Sequence, residues 1–146
     1  MKKIMMIASL LLGVVTFAGT STEVNEKVLN AFRKTFTTAK DVVWYEYGDS
    51  YTVNFKQADI KTRVHYDKNG NLLESYRYYQ EEQLPPYIVS KIRKKFPEKK
   101  IFGITECSTE NDVAFFIMLE GEKDWTKVRC DINGYMEVEH KYTKAE

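Results

Sequence analysis

Two stretches of the sequence share one four-residue signal. Residues 66–79 read YDKNGNLLESYRYY, and residues 130–142 read CDINGYMEVEHKY. In each, Asp-x-Asn-Gly stands between segments in which apolar and polar residues alternate. Asp favours the start of a type I turn, Asn tolerates its third position, and Gly takes the left-handed conformation that closes a hairpin with a bulge. Both stretches therefore predict antiparallel hairpins with the same corner.

A calcium-binding loop is the alternative interpretation of these residues. An EF-hand loop needs an oxygen ligand at its first position and a Glu at its twelfth. With Gly134 at the sixth position, Arg129 takes the first and His140 the twelfth. The copy around Gly70 also lacks the closing Glu. A guanidinium cannot bind calcium, and the flanks alternate as strands do. The sequence therefore favours structural corners and predicts no metal site.

Each corner belongs to a longer pattern that occurs twice. Residues 28–36 read VLNAFRKTF and residues 88–96 read IVSKIRKKF, with apolar residues at helical spacing in both. Four alternating segments follow each helix. They are predicted as strands at 42–47, 51–57, 61–66, 72–79, 101–107, 113–120, 125–130 and 135–142. The predicted fold class is α+β. It is a tandem repeat of a helix plus an antiparallel β-meander, within 24–82 and 83–144, with the helices packed on one face of the sheet.

The N-terminus has the three parts of a secretory signal peptide. Lys2 and Lys3 precede an apolar segment at 4–17, and small residues follow it. We predict a signal peptide at 1–19 and one mature domain at 20–146, exported to the periplasm or the cell exterior. No membrane span is predicted after cleavage. With 22 Lys and Arg against 21 Asp and Glu, the chain lacks the basic excess of a nucleic-acid-binding protein.

Alternation around the corners separates two faces of the predicted sheet. One face meets the helices. The other carries the candidate binding patch, which consists of Arg63, His65, Arg77 and Tyr79. No acid of the facing strand is predicted on this face, whereas the second copy has Glu137 and Glu139 opposite its basic residues. Arg and Tyr are enriched where proteins bind one another, so the patch is predicted to bind a partner. A solvated sheet face is the alternative.

No catalytic motif is visible, and neither an enzyme activity nor a cofactor is predicted. The two histidines, His65 and His140, are predicted on opposite faces. Two cysteines in an exported chain allow a disulfide. Alternation, however, places Cys107 on the open side and Cys130 on the helix side, so two free thiols are predicted.

The framework residues resemble those of the secreted PepSY-like proteins, a family described as β-lactamase-inhibitor-like. The residues that carry the resemblance are Ala31, Phe32, Phe36, Val43, Trp44, Tyr51, Val53, Phe55, Arg63, Val64, Tyr66, Asp67, Gly70, Leu72, Leu73, Leu84, Pro85, Ile88, Ile92, Phe96 and Pro97. The resemblance covers nearly all of the mature chain. It implies tandem helix-plus-sheet repeats in an exported protein, with inhibition of a secreted enzyme suggested by the fold.

The sequence thus predicts a non-enzymatic, exported protein-binding or inhibitor-like module that binds an exported protein or envelope component through its open sheet face. The alternative is a protein that binds a small ligand or a cell-envelope component. A hydrophobic cavity between the helices and the sheet would favour that alternative.

Overall fold

The structure is a computed structural model that describes residues 23–145. The predicted signal peptide at 1–19 lies outside the described residues. No helix within 23–145 is long and apolar enough to cross a membrane. The described elements are α1 (Glu26–Thr35), β1 (Lys40–Tyr47), β2 (Ser50–Gln57), β3 (Ile60–Asp67), β4 (Leu72–Tyr79), a 3₁₀ turn (Glu81–Gln83), α2 (Pro86–Lys95), β5 (Lys100–Thr109), β6 (Val113–Glu120), β7 (Asp124–Asp131) and β8 (Met136–Thr143).

Local sequence sets where the helices begin. Asn25 caps α1, because its side-chain oxygen accepts a hydrogen bond from the Lys27 amide at 2.8 Å. Pro86 opens α2, where the missing N–H costs little and the fixed φ suits a first turn. Pro97 follows α2 at the end of the second copy of the helical pattern, where a proline disfavours further helix.

The described strands form a single antiparallel sheet in the order β1 to β8. Strand β4 pairs with β5, from Glu74 opposite Thr109 to Tyr79 opposite Ile104. The two predicted meanders are therefore joined into one sheet. The structure supports an α+β fold with two helices on an eight-stranded sheet, and not a tandem of separate helix-plus-meander units. The repeat boundaries within 24–144 stay a prediction.

Cross-strand partners share a face of a sheet, and one row of partners crosses nearly all of this one. The row runs through Phe55, Thr62, Arg77, Glu106, Phe115, Cys130 and Met136. Phe55 belongs to the apolar cluster beneath α1, and Phe115 belongs to the cluster beneath α2. Both helices therefore cover the same face, which we call the helix face. The opposite side is the open face.

The core consists of two apolar clusters on the helix face. Val28 and Phe32 of α1 pack on β2 and β3. Ile88 and Ile92 of α2 pack on the strands of the second half. Burying each such side chain contributes about 1.5–3 kcal/mol, so these two contacts hold the helices to the sheet.

The first hairpin corner folds as predicted and also contacts α1. One carboxylate oxygen of Asp67 accepts hydrogen bonds from the amides of Asn69 at 2.8 Å and Asn71 at 2.9 Å. Gly70 has φ +85°. A Cβ atom at Gly70 would lie 2.8 Å from the carbonyl oxygen of Lys27. The glycine is therefore required both by the turn and by the close approach to the helix.

The second corner repeats this geometry against α2. Asp131 accepts from two amides at 2.9 and 2.8 Å, and Gly134 has φ +80°. The Lys91 ammonium donates to the carbonyl of Asn133 at 2.8 Å, and the Tyr87 hydroxyl donates to the carbonyl of Ile132. These bonds tie the corner to the helix.

Strand β4 contains one residue more than the segment of β3 that it faces. His65 pairs with Glu74 and Tyr66 pairs with Leu72, so Leu73 has no cross-strand partner. One extra residue moves every side chain beyond it to the other face. The side chains of β4 beyond Leu73 therefore lie on the face opposite to the one predicted.

Strand β1 forms one edge of the sheet and is also bulged. Lys40 pairs with Lys56, and the next pair is Val43 with Asn54, which leaves one extra residue in β1. Asp41 within the bulge has φ +53°, and its carboxylate lies 2.8 Å from the Lys56 ammonium. The salt bridge thus spans the irregular part of the edge.

We expect Gly70→Ala to destabilise the fold more than Gly48→Ala. Both glycines have positive φ, but a Cβ atom at Gly48 would meet nothing within 4 Å. The left-handed conformation alone costs alanine about 1–2 kcal/mol. The clash with the Lys27 carbonyl should add about 1–3 kcal/mol for Gly70→Ala. Urea denaturation of both variants measures the difference, and equal losses would contradict the contact between corner and helix.

We also expect the fold to lose stability between pH 10 and 12, in part through Tyr66. This side chain is 1% exposed, its hydroxyl has no hydrogen-bond partner among the described residues, and burial raises its pKa to about 12. The unfolded chain releases this proton near the ordinary value of 10.0, so unfolding is favoured as the pH rises between the two values.

The free energy of unfolding should therefore fall less in Tyr66→Phe than in the parent protein as the pH rises from 7 to 12. The difference between the two proteins should reach about 3 kcal/mol. At pH 7 the variant should be at least as stable, because it removes a buried hydroxyl without a partner. Urea denaturation at pH 7, 9 and 11.5 tests both statements. An unchanged alkaline loss would assign it to the other tyrosines.

Candidate binding face

The open face carries large aromatic side chains that reach solvent. Tyr45, Tyr47, Tyr78, Phe102 and Tyr142 are 41%, 64%, 38%, 59% and 49% exposed. Register places Tyr45 opposite Thr52, Tyr78 opposite Lys61 and Tyr142 opposite Trp125, all on the face away from the helices. These side chains together form a broad surface of mixed aromatic and polar character.

The structure brings together two of the four predicted patch residues. Arg63 and His65 lie on the open face, where they pair with Asn54 and Thr52 of β2. Arg77 and Tyr79 lie on the helix face. The prediction that all four share a face is therefore wrong, and the unpaired Leu73 is the cause.

Arg63 and His65 border a hollow of about 410 Å³ that we call the tyrosine hollow. Its lining is Tyr45, Tyr47, Ser50, Thr52, Asn54, Arg63 and His65. The rings of Tyr45 and Tyr47 stack with centroids 6.5 Å apart. The Arg63 Nε donates to Asn54 Oδ1 at 3.0 Å, and no carboxylate of the described residues forms an ion pair with Arg63. The guanidinium thus remains available for an acidic group of a partner.

His65 is less free than predicted, because an acid does face it. Glu74 is its cross-strand partner, with a carboxylate oxygen 3.9 Å from His65 Nδ1. The Tyr76 hydroxyl donates to the same carboxylate at 2.9 Å. Burial and the Glu74 carboxylate raise the pKa of Tyr76. Burial also raises the pKa of the neighbouring Cys107 thiol, which disfavours the nucleophilic thiolate.

Arg77 and Tyr79 instead form a polar seam at the edge of the cluster beneath α2, to which the Tyr79 ring belongs. Glu106 of β5 accepts from the Tyr79 hydroxyl at 2.6 Å, from Arg77 at 3.3 Å and from the Ser108 hydroxyl at 3.3 Å. The Arg77 guanidinium also lies 5.4 Å from the centre of the Tyr79 ring. Burial and Glu106 raise the pKa of Tyr79. The predicted absence of an acid near Arg77 is corrected, because Glu106 comes from the strand on the other side of β4.

The cysteines lie as predicted. Cys107 pairs with Tyr76 and Ala114 on the open face, whereas Cys130 is buried in the cluster beneath α2. Both are free thiols, and β6 separates their strands. His140, however, pairs with Lys127 on the open face, so the two histidines do not lie on opposite faces. The extra residue Glu139 in β8 explains the difference.

A second hollow of the open face was not predicted. It has a volume of about 650 Å³, and we call it the Gly103 hollow after the glycine at its base. Its walls include Lys61, Tyr78, Phe102, Phe116, Met118 and Lys127. A glycine inside a strand can mark a bulge or a place where another molecule approaches the backbone. Gly103 within a predicted strand was therefore a signal in the sequence. The position of the Phe102 ring at the hollow was not, because it depends on the β5 bulge, in which Phe102 is the extra residue.

We expect Glu106→Ala to lower the free energy of unfolding by about 2–3 kcal/mol, because it leaves the buried Tyr79 hydroxyl and Arg77 without their acceptor. Ser108→Ala is the matched control, since it removes one longer bond, and it should cost less than about 1 kcal/mol. Urea denaturation measures both. Equal losses would show that the seam does not depend on the Glu106 carboxylate.

Comparison with other proteins identifies the fold through solved structures. No protein family model matches the chain, and no curated protein matches it. A BLIP-like (β-lactamase-inhibitor-protein-like) protein from Bacteroides fragilis is 17% identical, with a TM-score of 0.66 over 82% of this chain and 87% of that chain. A DUF2874 family protein from Bacteroides uniformis is 14% identical, with a TM-score of 0.64 over 81% and 88%.

A protein from Bacteroides eggerthii, provisionally described as periplasmic, is 15% identical, with a TM-score of 0.64 over 81% of this chain and 87% of that chain. At these identities the likeness shows the fold alone. The chain has a BLIP-like fold, and the PepSY-like resemblance of its sequence has no support from a family model.

Proposed function

We propose that this chain is an exported, non-enzymatic protein-binding module of inhibitor-like type, and that the open face is its binding surface. One observation carries the proposal: both helices lie on one side of the sheet, while exposed aromatic side chains cover the other. Exposed aromatic patches on a soluble protein are typical of interaction sites. Tyr and Arg are also the residues that most often dominate binding energy.

The tyrosine hollow is the proposed centre of this surface. It combines two stacked tyrosines with Arg63, whose guanidinium has no acidic partner among residues 23–145. An acidic side chain of a partner could form a bidentate pair with Arg63 while apolar groups cover the rings. Arg77 and Tyr79 lie on the helix face and contribute only indirectly. Their hydrogen bonds with Glu106 stabilise β4 within the sheet.

Location and fold support a role outside the cytoplasm. The signal-peptide pattern at 1–19 favours export to the periplasm or the cell exterior. Structures of the same fold include a BLIP-like protein and one provisionally described as periplasmic. Fold likeness is weak evidence for function, so the proposal rests on the open face and takes only its inhibitor-like character from these neighbours.

The alternative is a protein that binds a small ligand or an envelope component. Its binding site cannot be the cavity between the helices and the sheet that would have favoured this alternative. The space between the helices and the sheet is occupied by the two packed clusters. A small ligand would have to bind in a hollow of the open face. The tyrosine and Gly103 hollows, at about 410 and 650 Å³, fall within the size range of ligand pockets and keep this alternative testable.

The test is an affinity capture with mature protein, residues 20–146, from an envelope extract. We expect Arg63→Glu combined with Tyr47→Ala to reduce capture of the specific partner at least tenfold, since each removes a side chain of the tyrosine hollow. Arg33→Glu is the matched control, because it makes the same charge change on the exposed surface of α1.

Quantitative mass spectrometry compares the proteins retained by the three baits, and circular dichroism checks that each is folded. A partner retained equally by all three would overturn the open-face proposal. Retention of lipid or glycan, with no protein above background, would favour the alternative. If the retained partner is an enzyme, its activity with and without the purified module shows whether binding inhibits it.

A further inference from the structure

We propose that the Gly103 hollow is an anchor site for a large aromatic side chain with a neighbouring carboxylate, presented by a loop of the protein partner. This inference rests on the proposed function and deepens it, because it assigns partner chemistry to one position of the open face. It is separate from the tyrosine hollow, which lies on β1 to β3.

Gly103 lines the hollow and adds to its space, because it has no side chain. A Cβ atom at this position would meet nothing within 4 Å. Gly103 pairs with Met118 of β6 and lies just beyond the last β4–β5 pair, Tyr79 with Ile104. Gly103 does not have positive φ, so the backbone does not require a glycine here. The residue therefore creates space at the base of the hollow.

Aromatic rings border this space and are held in place. Phe102 is the extra residue of the β5 bulge, 59% exposed, and meets Trp125 edge-on with centroids 4.8 Å apart. The Lys127 ammonium lies 5.0 Å from the centre of the Phe116 ring. Tyr78 completes the wall from β4. Rings prefer such edge-to-face and offset neighbours, so an aromatic side chain of a partner fits this setting.

Two lysines, Lys61 and Lys127, and one carboxylate, Asp59, line the hollow, and this excess of positive charge favours an anion beside that ring. Lys61 forms no ion pair with any described carboxylate, and it lies directly opposite Lys56 on β2. Like charges in this arrangement are destabilising. Lys56 is neutralised by Asp41 and Lys127 by Glu139, each at 2.8 Å, which leaves Lys61 as the cation for a partner carboxylate.

The turn beside the hollow adds a second, independent observation. Ala58 and Asp59 connect β2 to β3 and line the hollow, and both have positive φ, +48° and +62°. A left-handed alanine is strained by comparison with the glycine or asparagine that usually occupies such a turn. Strain of this kind is concentrated at binding sites, and both strained residues belong to the lining of the hollow.

The experiment is a titration of ¹⁵N-labelled mature protein with the peptide acetyl-Gly-Phe-Asp-Gly-amide, followed by amide chemical shifts. We expect the shift changes to centre on Phe102, Gly103 and Phe116. The same peptide with Asn in place of Asp should bind about twofold to fivefold more weakly, as expected for an exposed ion pair. Lys61→Gln should abolish that difference. The same peptide with Ala in place of Phe should bind at least about tenfold more weakly.

Gly103→Leu fills the hollow and should weaken the Phe-Asp peptide at least about tenfold. Phe102→Ala removes a wall from the surface and gives a second variant should Gly103→Leu fail to fold. Arg33→Glu, on the exposed surface of α1, should leave binding of the peptide unchanged. Shift changes elsewhere, or full binding by both hollow variants, would overturn the anchor site.

Two further experiments distinguish failure of this inference from failure of the proposed function, and a loop of a protein partner from a free small ligand. Tighter binding of N-acetyl-phenylalanine than of the peptide would overturn the protein-loop source in favour of a small aromatic acid. Affinity capture that depends on Arg63 and not on Gly103 or Phe102 would overturn the anchor site while leaving the open face as the binding surface. If Gly103→Leu and Phe102→Ala each lose capture of the protein partner, the result supports both the anchor site and the open face as the binding surface.

Discussion

The pairing of β4 with β5 is the constraint on which the rest of the structure depends. It joins four strands that carry α1 to four strands that carry α2, and it makes one continuous open face from two halves. At this junction the helix face is partly apolar and partly polar, because Tyr79 and Ile104 belong to the cluster beneath α2, whereas Arg77 and Glu106 form an ion pair beside them. Glu106 accepts hydrogen bonds from Tyr79, Arg77 and Ser108. The backbone ladder, the Glu106 carboxylate and the packing of Tyr79 beside Ile104 therefore connect the halves.

The sequence predicted the parts of the fold that depend on local chemistry. The two corners, the two helices and the opposite orientations of Cys107 and Cys130 follow from turn residues and spacing, and the structure confirms them. The faces of β4 and β8 could not be derived in this way. One extra residue in each strand inverts the alternation, and nothing in the sequence around Leu73 or Glu139 marks it.

The candidate site shows the same division. Arg63 and His65 lie on the predicted face, because β3 pairs with β2 without a bulge. Arg77 was assigned to the open face by simple alternation, although its partner comes from a strand far away in sequence. The Gly103 hollow was also missed, since it depends on which ring the β5 bulge turns outward. Alternation predicts a face, but bulges decide which residues occupy it.

The bulge of β1 has a consequence for the behaviour of the protein in solution. An open sheet with unpaired edges offers backbone groups to which a strand of another molecule can add. The irregular backbone at Asp41, tied to Lys56, interrupts that row of groups along β1. The irregularity at Glu139 has the same effect along β8. The sheet can thus keep one broad face exposed to solvent without growing edge to edge into a fibre.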